Sequence, residues 1–226
     1  MATERIAVIL LAAGASTRMQ GVDKVWTDLG GEPVIARSLN AAASLDGVTD
    51  VIVVTAASRH DEVQTLAALL GMGVRCVEGG ARRQDSVAAG IAAAPEADWY
   101  VVHDAARPLA GAALFAAVLE AARTHGAAIP VVPVVDTVKR VDASGAVVET
   151  LDRSALRAVQ TPQAFAGPLL RRAHAEVRTD ATDDASMVEA IGAPVMTVMG
   201  SPANLKVTTP ADLVLARALW AGIAEE

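Results

Sequence analysis

Five short, nearly unbroken apolar runs constrain this chain more than any other feature. They lie at 5–12, 50–55, 73–78, 99–104 and 127–134. A run of this length without polar alternation reads as a strand buried on both faces. Helical patterns separate them, at 33–44, 60–71, 85–94 and 111–124. Pro33 is expected in the first turn of its helix, where its missing N–H costs nothing. Gly71 and Gly73 mark a helix stop. Strand, helix and strand in alternation predict an α/β fold: an open, mostly parallel, Rossmann-like sheet with helices on both faces. Composition agrees. Hydrophobic residues make up 53% and aromatics only 3%, so the core is built from Val and Ile, which suit strands, and Ala and Leu, which suit helices.

The rhythm breaks once, at 136–162. Two short strand patterns flank the turn sequence "DASG", which predicts a protruding antiparallel β-hairpin arm over about 136–156. An isolated two-stranded ribbon is barely stable, so this one is expected to pack on the main domain or on another copy of the chain. Helices at 167–176 and 183–191, a strand at 194–199 and a helix at 210–224 follow. No repeat, low-complexity tract or long linker interrupts the chain, so residues 1–226 are expected to form a single domain.

Several function classes fall away on composition. The formal net charge is −7, which argues against nucleic acid as a partner, since that needs a basic face. It leaves open an anionic small molecule held by a few gathered cations. The single cysteine, Cys76, allows no intrachain disulfide, and its apolar surroundings read as core rather than reactive thiol. The N-terminal apolar run follows Glu4 and Arg5 and is too short to cross a bilayer. No signal peptide, no membrane association and a cytoplasmic location are expected.

In an open α/β sheet, ligands sit beyond the carboxyl ends of the strands. Functional residues are therefore expected just after 12, 55, 78, 104 and 134. The first such turn runs Ala12-Ala13-Gly14 and on to Arg18, with Lys24 beyond. Small residues let backbone N–H groups reach phosphate oxygens, and the two cations add charge where a triphosphate would lie. The turn has neither the G-x-G-x-x-G dinucleotide fingerprint nor a Walker loop. The third crossing carries Gly79 and Gly80, which can bring backbone to the edge of a base, with Asp85 and Ser86 after them. Asp85 or Ser86 can also be read as a helix N-cap. The fourth strand ends in His103-Asp104 with Arg107 close behind. A carboxylate there, facing a triphosphate, is a natural Mg²⁺ ligand; the plainer alternative is an Asp104–Arg107 ion pair. His103 is read as structural. Thr137, Lys139, Arg140 and Arg153 are polar groups on the arm, and Lys206 precedes the last helix.

Seven segments carry a resemblance that spans essentially the whole chain: "LAAGASTRM", "GGARRQDSVAAG", "HDAARP", "DTVKR", "LDRSALRAVQTPQAF", "TDDASMVE" and "NLKVTTPADL". In this order they resemble the 2-C-methyl-D-erythritol 4-phosphate cytidylyltransferases of non-mevalonate isoprenoid precursor biosynthesis. "LAAG" alone indicates only the wider sugar-nucleotidyltransferase group, whereas "HDAARP", "DTVKR" and "TPQAF" together are much more specific. The resemblance implies CTP and methylerythritol phosphate as substrates, Mg²⁺ as cofactor and a homodimer joined through the arm. It implies that Ala12, Ala13, Gly14, Arg18 and Lys24 hold the triphosphate and that Gly79, Gly80, Asp85 and Ser86 read cytosine and ribose. It makes Asp104 the metal ligand and Arg107 a residue of the methylerythritol phosphate site. Thr137, Lys139 and Arg153 become phosphate binders reaching in from the partner's arm, and Thr161 and Lys206 the remaining active-site positions. Arg18, Lys24 and Lys206 are the implied catalytic cations. Two departures stand out. The family commonly has Pro-Lys-Gln where this chain has Asp23-Lys24-Val25-Trp26, and an acidic residue where it has Ala81.

Three other readings bear on the same residues. A ribitol 5-phosphate cytidylyltransferase would share loop, metal and hairpin, but Lys139 and the "TPQAF" segment look more like the methylerythritol enzymes. A nicotinamide-binding dehydrogenase fits the β-α-β order, but its phosphate fingerprint is missing. A catalytically dead nucleotide sensor is opposed by the retention of every expected charged group.

Overall fold

The computed structural model describes residues 3–14 and 23–224. Strands β1 (Ile6–Leu11), β2 (Val48–Thr55), β3 (Arg75–Glu78) and β4 (Trp99–Asp104) alternate with helices α1 (Val34–Ala43), α2 (His60–Leu69) and α3 (Arg83–Ala93). Helix α4 (Ala112–His125) leads into β5 (Ala127–Pro133). Next come the arm strands β6 (Lys139–Val141) and β7 (Val147–Thr150), then β8 (Arg157–Val159) and β9 (Gln163–Ala166). Helices α5 (Gly167–Glu176) and α6 (Asp184–Ala190), strand β10 (Met196–Met199) and helix α7 (Pro210–Ala224) complete the chain.

The sheet order is β10-β5-β9-β4-β1-β2-β3, with β8 also paired to β5. Strand β1 runs parallel to both β2 and β4, β2 to β3, and β10 to β5. The side-chain period of two sorts β1 between the faces. Ala7 and Ile9 pack with α3, α5 and α6 residues such as Val87, Leu170 and Met187. Ile6 and Val8 pack with Phe115 and Leu119 of α4, and Leu10 with Ile35 and Leu39 of α1. Each of these β1 side chains is almost wholly buried, a contribution of roughly 2 kcal/mol apiece for Ile6, Val8, Ile9 and Leu10 and less for Ala7.

Four sequence expectations are corrected. β3 is an edge strand with Arg75 and Glu78 exposed, not a strand buried on both faces. Its apolar run is explained by partial cover on both faces, Val77 packing on the α3 side and Val74 and Cys76 on the α2 side. Pro33 is the N-cap of α1, with extended backbone, and not a first-turn residue. Asp85 is not an N-cap either; α3 begins at Arg83 and Asp85 is its third residue. Finally, β8 and β9 were not anticipated. They run antiparallel to β5, and β9 inserts between β5 and β4. The chain turns between them at a cis Thr161–Pro162 bond.

The chain leaves β1 toward β2 and β3 on one side, then crosses to β4 on the other. That reversal between β1 and β4 opens a crevice beyond their carboxyl ends.

Candidate active site

A cleft of about 300 Å³ occupies that crevice. Ala12, Ala13 and Gly14 line it from the end of β1, and Gly80 and Ser86 from the third crossing. Asp104, Lys24 and Lys206 face it from the other sides. A second cleft, of about 390 Å³, is lined by Arg107, Gln160, Thr161 and Thr182 among others. Arg83, Asp104 and Lys206 border both. The segments just after 55 and 134 line neither cleft, contrary to expectation; the loop ahead of α7 and the β8–β9 corner take their places.

The third crossing is built for close approach. A Cβ on Gly79 would lie 2.3 Å from that of Ala13, and one on Gly80 2.3 Å from that of Asp85. Only glycine lets this loop close against the first turn. Ser86 Oγ accepts from the Gly80 N–H at 3.1 Å and donates to the Arg82 carbonyl at 3.2 Å, fixing the loop's shape. Asp85 lines neither cleft. Its carboxylate accepts from the Arg82 N–H at 3.2 Å and from the Arg82 guanidinium at 2.6 and 2.9 Å, which lowers its pKa. Ala81 borders the first cleft without a polar side chain.

Lys24 is delivered by a turn in which the Trp26 N–H donates to the Asp23 carbonyl at 3.1 Å. The neighbouring Val25 is buried in the core and anchors that turn. Arg18 lies outside the described residues.

Asp104 ends β4 and is only 7% exposed. Lys206 Nζ is 2.7 Å from its Oδ2, Arg107 Nε 3.9 Å from Oδ2, and Arg83 Nε 3.9 Å from Oδ1. Burial alone would raise its pKa. Lys206, Arg83 and Arg107 outweigh that and hold the carboxyl at about 2. Asp104 is thus ionised at neutral pH.

Thr161 and His103 hold Asp104 from behind. Thr161 Oγ1 accepts from the Asp104 N–H at 3.0 Å and lies 3.0 Å from His103 Nδ1. His103 Nε2 lies 3.3 Å from the Arg107 carbonyl. One assignment satisfies all three groups: Thr161 donates to Nδ1, and Nε2–H donates to the carbonyl. Burial is the main reason that the His103 pKa falls to about 4, so the neutral ring this chain needs is present at neutral pH. The Thr161 hydroxyl is therefore engaged within the protein. Arg107 donates to the Asn204 carbonyl at 2.8 Å, and Asn204 Nδ2 donates to Gln160 Oε1 and to the Thr161 carbonyl at 3.2 and 2.9 Å.

The arm residues are elsewhere. Thr137, Lys139 and Arg153 are exposed and line neither cleft of their own chain. Lys139 Nζ donates to Thr150 Oγ1 at 2.6 Å, and Arg153 donates to the Val135 carbonyl.

Sequence reasoning missed Arg83, Asp184, Gln160 and the positioning role of Asn204. The available signal was the pair Arg82-Arg83 directly after the double glycine. The structure sends Arg82 outward to Asp180 and Arg83 inward to Asp184, each at 2.7 Å.

Asp104 is the residue here that could hold a divalent metal. Among the described residues no group of three His, Cys, Asp or Glu side chains gathers to hold a metal, but Mg²⁺ needs only one or two carboxylates beside phosphates and waters. Asp104 supplies one at the seam of the two clefts.

Comparisons with known proteins agree with this geometry. Residues 6–221 match the profile of the family described as IspD: 2-C-methyl-D-erythritol 4-phosphate cytidylyltransferase. A 2-C-methyl-D-erythritol 4-phosphate cytidylyltransferase from Rhodococcus jostii (strain RHA1) is 45% identical over 216 residues, covering 95% of this chain and 94% of the relative. The crystal structure of 2-C-methyl-D-erythritol 4-phosphate cytidylyltransferase from Thermus thermophilus superposes with a TM-score of 0.78 at 38% identity, over 93% of this chain and 96% of that one. The 4-diphosphocytidyl-2C-methyl-D-erythritol synthase of Anaerococcus prevotii DSM 20548 gives a TM-score of 0.86 at 27% identity, over 97% and 100%. Fold, crevice and sequence converge, and the chain belongs to the 2-C-methyl-D-erythritol 4-phosphate cytidylyltransferase family.

Proposed function

We propose that the protein transfers the cytidylyl group of CTP to 2-C-methyl-D-erythritol 4-phosphate, giving 4-diphosphocytidyl-2-C-methyl-D-erythritol and pyrophosphate. The observation that carries this reading is Asp104, ringed by Lys206, Arg83 and Arg107 where two clefts meet. The nucleotide lies in the first cleft, its base toward Gly80 and its phosphates toward Lys24 and Lys206. The acceptor lies in the second, beside Arg107. A phosphate oxygen of the acceptor attacks the α-phosphorus of CTP. One P–O bond forms as the bond to the β-phosphate oxygen breaks, and pyrophosphate leaves in line. The attacking group is already ionised, so no protein nucleophile or base is required. The chain contributes orientation and charge: Arg18, Lys24 and Lys206 offset the negative charge that builds on the transferring phosphate. Asp104 would hold the Mg²⁺ that, when bound, neutralises phosphate charge.

The arm completes the site from a second copy in this reading. Val141, Val147 and Val148 are 53%, 60% and 57% exposed, apolar side chains on both faces of the ribbon that exchange between two subunits would cover. The same exchange would carry Thr137, Lys139 and Arg153 into the partner's second cleft. A cytoplasmic location belongs to the reading as well, supported by the single cysteine.

Pyrophosphate release tests the proposal. CTP and Mg²⁺ with methylerythritol phosphate should give turnover well above the same mixture with ribitol 5-phosphate. A preference for ribitol phosphate, or turnover with neither, would overturn it.

A further inference from the structure

Asp184 is wholly buried, yet it is a carboxylate. It opens α6 and accepts from Arg83 Nη1 at 2.7 Å, and His174 Nε2 of α5 lies 3.1 Å from its other oxygen. Burial raises its pKa, but Arg83 and His174 lower it by more, so it is a buried anion. An ion pair of this kind rarely stabilises a fold better than apolar residues of the same volume. Its geometry suits a different task. Arg83 is clamped at one nitrogen by Asp184, while its Nε faces Asp104 Oδ1 at 3.9 Å. Its Nη2 is buried with no hydrogen-bond partner among the described residues. The side chain borders both clefts.

We propose that Arg83 is a positioning residue for Asp104 and that Asp184 keeps it in place. Lys206 makes the closer contact with Asp104, but its side chain is 40% exposed and free to turn toward phosphate. Arg83 cannot follow, because Asp184 holds it from behind. When substrates draw Lys206 away, Arg107 remains beside Asp104 Oδ2, and Arg83 is the cation that holds Oδ1 toward the seam. The pair thereby couples α3 and α6, which begin about a hundred residues apart, to the end of β4.

This inference rests on the cytidylyl-transfer reading, and two measurements separate their fates. The first needs no substrate. Urea unfolding of wild type, Arg83→Gln, Asp104→Asn and the double variant should show that Arg83 and Asp104 are coupled, with about a tenfold or greater non-additivity in the unfolding constant. Additive effects would overturn the inference even in an active enzyme. The second uses pyrophosphate release. Arg83→Gln should lower kcat about tenfold or more while the KM for CTP moves less than about threefold. Asp184→Asn should shift it in the same direction, and Arg83→Lys should restore part of the loss. In an Asp104→Asn background neither Arg83→Gln nor Asp184→Asn should lower the residual rate further. Wild-type kcat in Arg83→Gln, or a full further loss in the Asp104→Asn background, would overturn the positioning role. Asp184→Asn keeps the size of its side chain and Arg83→Lys keeps the charge of its own, so these two variants test the role with less disturbance of the fold than Arg83→Gln. An inactive wild type would sink the functional reading and leave the urea cycle to decide the inference.

Discussion

Replacing Asp104 with Asn keeps the shape of the side chain and removes its charge. The wild-type carboxyl titrates at about 2 against an ordinary value of 3.8, a difference corresponding to roughly 2–3 kcal/mol in favour of the ionised, folded form. With the side chain only 11% exposed, solvent screens little of this. Asp104→Asn should therefore cost about that amount at pH 7, because Lys206, Arg83 and Arg107 are left facing one another. The sign follows from linkage. A folded-state pKa below the unfolded one stabilises fully above about pH 4, and the contribution disappears as pH falls toward 2. Urea unfolding at pH 7, 5 and 3 should show a constant stability gap between wild type and variant at the upper two values and a narrowing one at the lowest. Turnover should fall by about a hundredfold or more, as for loss of a group that organises transition-state charge. A variant as stable as wild type at pH 7 would mean that the cost of burial outweighs the three cations. A gap that stays constant into acid would assign the effect to packing and not to charge.

Other consequences can be checked directly. Gly80→Val should raise the KM for CTP far more than that for the acceptor, because its Cβ would collide with Asp85 at 2.3 Å and distort the loop that borders the first cleft; equal rises for both substrates would remove this loop from nucleotide recognition. Thr161→Val leaves the Asp104 N–H and a His103 nitrogen unpaired, so it should cost about 1–3 kcal/mol in urea unfolding, whereas Thr161→Ser should not. Lys24→Ala should lower kcat more than it raises KM, and a change in KM alone would make Lys24 a binding residue only. Mixing Asp104→Asn subunits with Arg153→Ala subunits should restore activity toward roughly a quarter of wild type, since about half the dimers are mixed and one of their two sites is intact. No recovery after demonstrated exchange would defeat the shared-site arrangement.

What was legible in the sequence, and what was not, follows from how far each residue must reach. Ile6–Leu11 and Trp99–Asp104 announce buried strands by themselves, because both faces of each are covered and the side chains along them are mostly apolar, with His103 the buried polar exception. Asp104 was legible as a carboxylate at a strand's carboxyl end, although the local ion pair with Arg107 was an equally visible alternative and is present as well. β9 was not legible. Gln163–Ala166 is four residues long, follows a proline, and becomes a strand only because β4 and β5 offer it hydrogen bonds from both sides. Arg83 and Asp184 belong to this second kind. Next to Arg82, Arg83 is locally indistinguishable from a surface cation. Its inward turn is decided by Asp184, 101 positions away, and by where α6 begins. The same limit applies to Asn204. Its motif was visible, but its work of holding the Arg107 guanidinium and the Thr161 carbonyl in register exists only once the β8–β9 corner packs beside the loop that carries Lys206. The charged group at the end of β4 was thus visible as strand-end chemistry. The groups that aim it depend on contacts between elements distant in the chain, and no local pattern encodes such contacts.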